Sequence, residues 1–254
     1  MPPACPPLPP VIGHRGAAAS APENTLAGFR RAKALACPWV EFDVRLTADG
    51  EPIVLHDARL DRTTDGSGKA GKLMLAAIRR HDAGIWFAPG FAGERVPVLA
   101  EAIGVLAELG LGANFEIKAD RGRERETAAV ATRTIARLWP AHLPPPLISS
   151  FLPEAVMAAR DAAPQLARGI LFRGIPRRWR DVAKALDCTT VHADQTRLRA
   201  VVVAEINAAG YPVLAYTVND PARARMLFDW GVRSVFSDVP ERILPVAAVP
   251  LVNC

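Results

Sequence analysis

Short β-branched or apolar runs recur along the 254 residues of this chain, with stretches of helical periodicity between them. That alternation is the pattern of parallel strands joined by crossover helices. The spacing predicts strands at Val11–Gly13, Val40–Leu46, Gly112–Lys118, Leu147–Ser150, Gly169–Phe172, Thr189–Ala193, Pro212–Val218 and Ser234–Ser237, and a first helix over Thr25–Ala36. Pro52–Leu55 reads as an extension of the second strand beyond an Asp49-Gly50 turn signal. Eight strand–helix units in this length specify an α/β fold of the (β/α)8 type, a TIM barrel. The alternative, an open doubly wound sheet, needs fewer strands or a second domain.

One barrel domain is therefore expected over residues 11–246, between a loose proline-rich tail at 1–10 and a C-terminal tail at 247–254. Residues 57–97 interrupt the alternation after the second strand, and they read as a small inserted subdomain. Its Trp86, Phe87 and Phe91 either cover the barrel mouth or form a small core of their own.

Composition excludes several classes. Half the residues are hydrophobic, enough to bury a core and to exclude disorder. No window reaches the ~18 apolar residues of a membrane span, so no integral membrane association is expected. Met1–Pro10 holds six prolines and no basic residue, unlike a secretory signal. Cys5, Cys37, Cys188 and Cys254 lie far apart, without the pairing of a disulfide framework or a zinc knuckle. Together these features fit a cytoplasmic protein. The formal charge is +5, but the basic residues are scattered and Arg-rich, with clusters such as Arg121, Arg123 and Arg125 reading as solvated faces. No nucleic-acid partner is expected.

In a barrel of this kind the C-terminal strand ends and the loops after them carry the chemistry. Glu41 and Asp43 stand two apart on a strand and so face one way. Two like charges on one buried face are costly unless a hard divalent cation shares them. Asn114, Glu116 and Lys118 repeat the same alternation on the next barrel strand, adding a third carboxylate and a cation suited to a phosphate oxygen. His14, Arg15 and Gly16 follow the first strand directly, and His56-Asp57 closes the Pro52–Leu55 run. Two imidazoles thus flank the carboxylates, and a pair can move both protons of a hydrolysis near neutral pH. Asn24, beside Thr25, either caps the first helix or faces the site. Asn219, in Tyr216-Thr217-Val218-Asn219, either starts a helix or touches the substrate. His81, His142 and His192 read as structural. Phosphate-loop and serine-hydrolase motifs are missing from the sequence.

His14-Arg15-Gly16, Glu23-Asn24-Thr25, Glu41-Phe42-Asp43-Val44, His56-Asp57 and Phe115-Glu116-Ile117-Lys118 occur in this order, followed by Ser149-Ser150-Phe151, Tyr216-Thr217-Val218-Asn219 and Ser237-Asp238-Val239-Pro240. This ordered set resembles the glycerophosphodiester phosphodiesterase family nearly end to end. The resemblance implies a barrel enzyme that hydrolyses small-molecule glycerophosphodiesters to glycerol 3-phosphate and an alcohol, with Mg2+ or Ca2+ as cofactor. It places the metal on Glu41, Asp43 and Glu116, catalysis on His14 and His56, and the phosphate on Arg15 and Lys118. Asn24, Tyr216 and Asn219 complete the expected substrate site; Tyr216 stands where the family usually carries Trp. The resemblance also permits a lysophospholipase D-type activity on lyso-lipids, with the Ile85–Phe91 stretch as apolar entrance. A non-catalytic phosphate-ligand binder on the same barrel is the remaining alternative.

Overall fold

In a computed structural model that describes residues 3–247, the chain alternates as the spacing predicts. The elements are β1 (Val11–His14), α1 (Leu26–Ala34), β2 (Trp39–Leu46), β3 (Pro52–Val54), α2 (Leu75–Ile78), α3 (Leu99–Leu109), β4 (Gly112–Ile117), α4 (Glu124–Leu138) and β5 (Leu147–Ser150). There follow α5 (Pro153–Ala162), β6 (Ala167–Phe172), α6 (Trp179–Ala185), β7 (Thr190–Asp194), α7 (Ala200–Ala208), β8 (Val213–Tyr216), α8 (Pro221–Asp229), β9 (Ser234–Ser237) and α9 (Pro240–Ala247). Parallel pairing runs β1-β9-β8-β7-β6-β5-β4-β2, and a β1–β2 pairing closes the ring. Closure leaves an eight-stranded TIM barrel and removes the open doubly wound sheet. The expected strand ends shift by a residue or two. Residues 248–254, which hold most of the expected C-terminal tail and Cys254, lie outside the described residues.

Pro52–Val54 does not prolong β2. It folds back as β3, antiparallel to β2 with Val44 opposite Val54 and Leu46 opposite Pro52. The Asp49-Gly50 signal is a reversal, with Gly50 at φ +81°, and a reversal sends the chain back along the strand it has just left. His56 is thereby returned toward the C-terminal end of β2.

Residues 1–10 were expected to be loose, yet Leu8 is buried at the floor of the barrel with Ile12, Trp39, Leu147, Ala167, Leu214 and Phe236. Pro9 and Pro10 carbonyls accept from Ser234 Oγ at 2.6 Å and from the Val235 amide at 2.8 Å. Prolines lack an amide donor but keep their carbonyls. This segment can therefore seal the barrel end opposite the site. Between the strands and the helices two apolar layers, one around Phe42 and Phe115 and one around Val191 and Val213, hold the barrel rigid.

The segment between β3 and α3 carries a separate apolar cluster of Ile53, Leu55, Leu60, Ala70, Ile78, Ala83 and Val96. Trp86, Phe87 and Phe91 stack edge-to-face on one another at 5.5–5.7 Å. None of the three lines the cavity at the barrel mouth.

Candidate active site

Strand register builds the site. Pairing sets His14 beside Glu41, Glu41 beside Asn114, Asp43 beside Glu116 and Glu116 beside Ser149. Alternation along each strand turns these side chains into the barrel. The three carboxylates of Glu41, Asp43 and Glu116 are buried, with one oxygen of each within 4.8 Å of the others. Glu41 and Glu116 line a cavity of about 430 Å3 together with His14, Arg15, His56, Lys118, Phe151 and Tyr216.

Each expected cation is countered by a carboxylate. Arg15 reaches Glu23 at 2.8 Å and Asp43 at 3.4 Å, and its amide donates to Glu41 at 3.1 Å. Lys118 sits 2.5 Å from Glu116 and 3.6 Å from Asp43, above the Phe151 ring. Arg15 is turned there by a left-handed backbone at φ +50°, followed by Gly16 at φ +96°. A Cβ on Gly16 would lie 2.7 Å from the backbone of Gly28 in α1, so this sharp turn admits only glycine.

Each histidine is held the same way. His14 Nδ1 lies 2.6 Å from Asp238, and His56 Nδ1 lies 2.6 Å from Asp57. A carboxylate on Nδ1 keeps the proton on that nitrogen and leaves Nε2 free. The two imidazoles differ electrostatically. Burial works against charge on His14, but the bond to Asp238 and the charge of Glu41 outweigh it and raise its pKa above 6.5. For His56 burial prevails, and its pKa falls below that value.

The carboxylates are strained toward a cation. Burial, then the charge of Asp43, pushes Glu41 up to about 8. Burial works on Asp43 in the same direction, but Lys118 and Arg15 outweigh it and pull that carboxyl down to about 2. Glu116 is raised, first by burial. Glu41 Oε1 is buried without a hydrogen-bond partner. An orphaned carboxylate oxygen within an all-oxygen donor set fits a hard divalent ion such as Mg2+ or Ca2+.

Asn24 and Asn219 do not line this cavity. Buried Asn24 clamps Asp43, donating Nδ2 to its carboxylate at 2.9 Å and accepting from its amide at 3.2 Å; the cap of α1 is Thr25. Asn219 donates to Asp238 at 2.7 Å and accepts from the Asp238 amide at 2.9 Å, while Asp220 caps α8. The Tyr216 hydroxyl is committed to the Phe172 carbonyl at 2.8 Å, so this residue offers the cavity its ring.

Asp57, Asp238, Glu23 and Arg62 join the site with little sequence signal. Arg62 bonds both Asp57 and Glu23, linking His56 to Arg15. Glu23, Asp57 and Asp238 fall within the ordered motifs, but only the adjacent His56-Asp57 dipeptide suggests a pair; His14 and Asp238 lie 224 positions apart.

His192, read as structural, is fully buried at the cavity floor, with Thr190 Oγ1 2.9 Å from Nε2 and no partner for Nδ1. Burial drives its pKa down to about 3. Because the folded value lies below the unfolded 6.5, the unfolded chain alone takes up a proton as the pH drops below 6.5. Stability therefore falls there by about 1.4 kcal/mol per pH unit. Denaturant unfolding at pH 7 and pH 5 should show the parent losing about 2 kcal/mol more than His192→Gln. Equal losses would mean that the imidazole charges freely in the fold.

Carboxylates, carboxylate-held imidazoles and cations gathered at the C-terminal mouth of a closed barrel define an α/β-barrel enzyme equipped for phosphoester cleavage. The chain belongs to the glycerophosphoryl diester phosphodiesterase family, whose model matches residues 14–242. A glycerophosphodiester phosphodiesterase of Caldanaerobacter subterraneus subsp. tengcongensis is 30% identical over 240 residues, spanning 92% of this chain and 96% of that protein. One from Bacillus subtilis is 31% identical over 253 residues, spanning 91% and 84%. A phosphodiesterase from Oleispira antarctica, solved with the product sn-glycerol-3-phosphate, superposes with a TM-score of 0.93. It is 41% identical and covers 95% of this chain and 98% of that one.

Proposed function

We propose that this barrel hydrolyses glycerophosphodiesters, the deacylated headgroup diesters of phospholipids, to glycerol 3-phosphate and an alcohol. The observation that carries the reading is the meeting, at one cavity, of the Glu41–Asp43–Glu116 cluster with two carboxylate-held imidazoles. Glu41, Asp43 and Glu116 would hold the divalent ion, Mg2+ or Ca2+. When bound, it supplies positive charge against that growing on the phosphate oxygens.

Arg15 and Lys118 orient the phosphate at the edge of the carboxylates. His56, held below its ordinary pKa, takes the proton of the attacking hydroxyl or water. His14, held above its own, gives a proton to the departing alkoxide. Asn114 Oδ1 and His192 Nδ1, buried without partners at the cavity floor, are left to hydrogen-bond the glycerol hydroxyls. Charged and polar groups make up most of the lining, which favours a deacylated substrate over a lyso-lipid.

The test is release of glycerol 3-phosphate from glycerophosphocholine and glycerophosphoethanolamine with Mg2+, Ca2+ or a chelator. Release that requires the ion supports the reading. Faster turnover of lysophosphatidylcholine would redirect it to lyso-lipids, and tight binding without turnover would make the protein a phosphate-ligand binder.

Asn219 acts through Asp238 on His14 in this scheme. Asn219→Ala is expected to lower kcat about tenfold, the order for a residue that orients another, with little change in KM. A rise in KM at constant kcat would instead make Asn219 a substrate contact.

A further inference from the structure

Two arginines in the cavity have no task in hydrolysis. Arg173 follows β6 and Arg197 ends the turn after β7, and both line the cavity that holds His14 and Lys118. Arg15 and Lys118 each face two carboxylates. Arg173 and Arg197, by contrast, have no carboxylate within 4.0 Å among the described residues.

The carboxylate that shares this end of the cavity is Asp194, and it is occupied locally. Its Oδ1 accepts from the Thr196 amide at 2.9 Å and from Thr196 Oγ1 at 2.7 Å, closing the turn that carries Arg197. Counting charges, Arg173 and Arg197 against Asp194 leave this end one positive charge in excess. A glycerophosphodiester places one negative charge at the scissile phosphate, and Arg15 and Lys118 already attend to it. The glycerol moiety is neutral. The departing alcohol alone can bring a second negative charge to the remaining guanidinium groups.

We infer that Arg173 and Arg197 form a headgroup subsite selecting diesters whose departing alcohol carries a second phosphate. Guanidinium groups bind phosphate through paired N–H donors. The same charge excess disfavours a cationic alcohol such as choline. Leu171 and the ring of Tyr216 line the same cavity beside the two guanidinium groups. The inference rests on the hydrolytic reading above and specifies the substrate class for that site. The reaction balances as simple hydrolysis. Water adds to the scissile phosphorus, its bond to the alcohol oxygen breaks, and the alcohol leaves with a proton and its second phosphate intact.

The test compares initial kcat/KM for bis(glycerophospho)glycerol and glycerophosphoglycerol, which share a departing glycerol and differ in the second phosphate it carries. With the metal-supplemented parent at low salt, the doubly charged diester is expected to be favoured about tenfold or more, a factor equal to about 1.4 kcal/mol. In the Arg173→Gln/Arg197→Gln variant, checked for its fold by circular dichroism, the ratio should fall to about one. A parent ratio near one overturns the inference. So does a ratio unchanged in the variant, which would assign both arginines to the scissile phosphate. Failure of the parent to hydrolyse either of these diesters, or glycerophosphocholine, overturns the hydrolytic reading itself and the subsite with it.

Discussion

His14→Ala is expected to fold like the parent and to hydrolyse glycerophosphocholine about 10^3-fold more slowly, in the middle of the range for a positioned general acid. The side chain stands at the end of β1, is 18% exposed and is absent from the apolar clusters. Truncation therefore opens no core cavity, and stability should stay within about 1 kcal/mol. What disappears is the imidazole that Asp238 holds at 2.6 Å with Nε2 free. A general acid is needed in proportion to the basicity of the group it releases. The same variant should thus keep far more of its activity on a glycerophosphodiester of 4-nitrophenol, whose phenolate departs unassisted. His56→Ala should slow both substrates alike, because the nucleophile is common to them. Equal loss of both substrates in His14→Ala would remove His14 from the acid role. Near-parental turnover of glycerophosphocholine would remove it from the mechanism.

Periodicity made the barrel legible. Local alternation placed Glu41 with Asp43, and Asn114 with Glu116, on common strand faces without any knowledge of their neighbours. It could not show that Asp43 pairs with Glu116 across β2 and β4, because register is a property of the assembled sheet. The Pro52–Leu55 run was legible as extended chain, but its direction was not, since a turn signal and an irregular continuation share the same Asp-Gly chemistry. The proline-rich start misled for a related reason. Proline opposes regular hydrogen bonding by its own amide, but Leu8 still has an apolar side chain and Pro9 and Pro10 still have carbonyls for the barrel floor to use.

Support for the reacting groups was the least legible part. Asp238 lies 224 positions from His14, and Arg62 lies 39 from Glu23. No helical or strand period relates such partners. The sequence positions of Asn24 and Asn219 suit helix caps or substrate contacts, yet the structure uses each amide to grip a carboxylate. An asparagine offers a donor and an acceptor on one short side chain, and either can satisfy a cap, a ligand or a neighbouring acid. Its sequence position does not distinguish these uses.

Glu116→Gln should separate the carboxylate cluster from every other part of the site through opposite effects with and without the ion. In the parent with a chelator, three buried carboxylates crowd within 4.8 Å, and burial holds the Glu116 carboxyl above its usual pKa despite Lys118 at 2.5 Å. Removing one of these charges relieves repulsion that the lost ion pair only partly offsets. The variant should therefore be at least as stable as the parent in denaturant with chelator present. With saturating Mg2+ or Ca2+ the order should reverse. An ion bound only by the folded state stabilises it by about 2.7 kcal/mol at a hundred times its dissociation constant, and a neutral amide is a poorer ligand for a hard cation. The metal concentration giving half-maximal hydrolysis should rise by about a hundredfold, within the scope of losing one of three charged ligands. Metal-induced stabilisation that is identical in parent and variant would place the ion elsewhere, whatever happened to the rate. A variant destabilised equally with and without the ion would make Glu116 an ion-pair partner of Lys118 and nothing more.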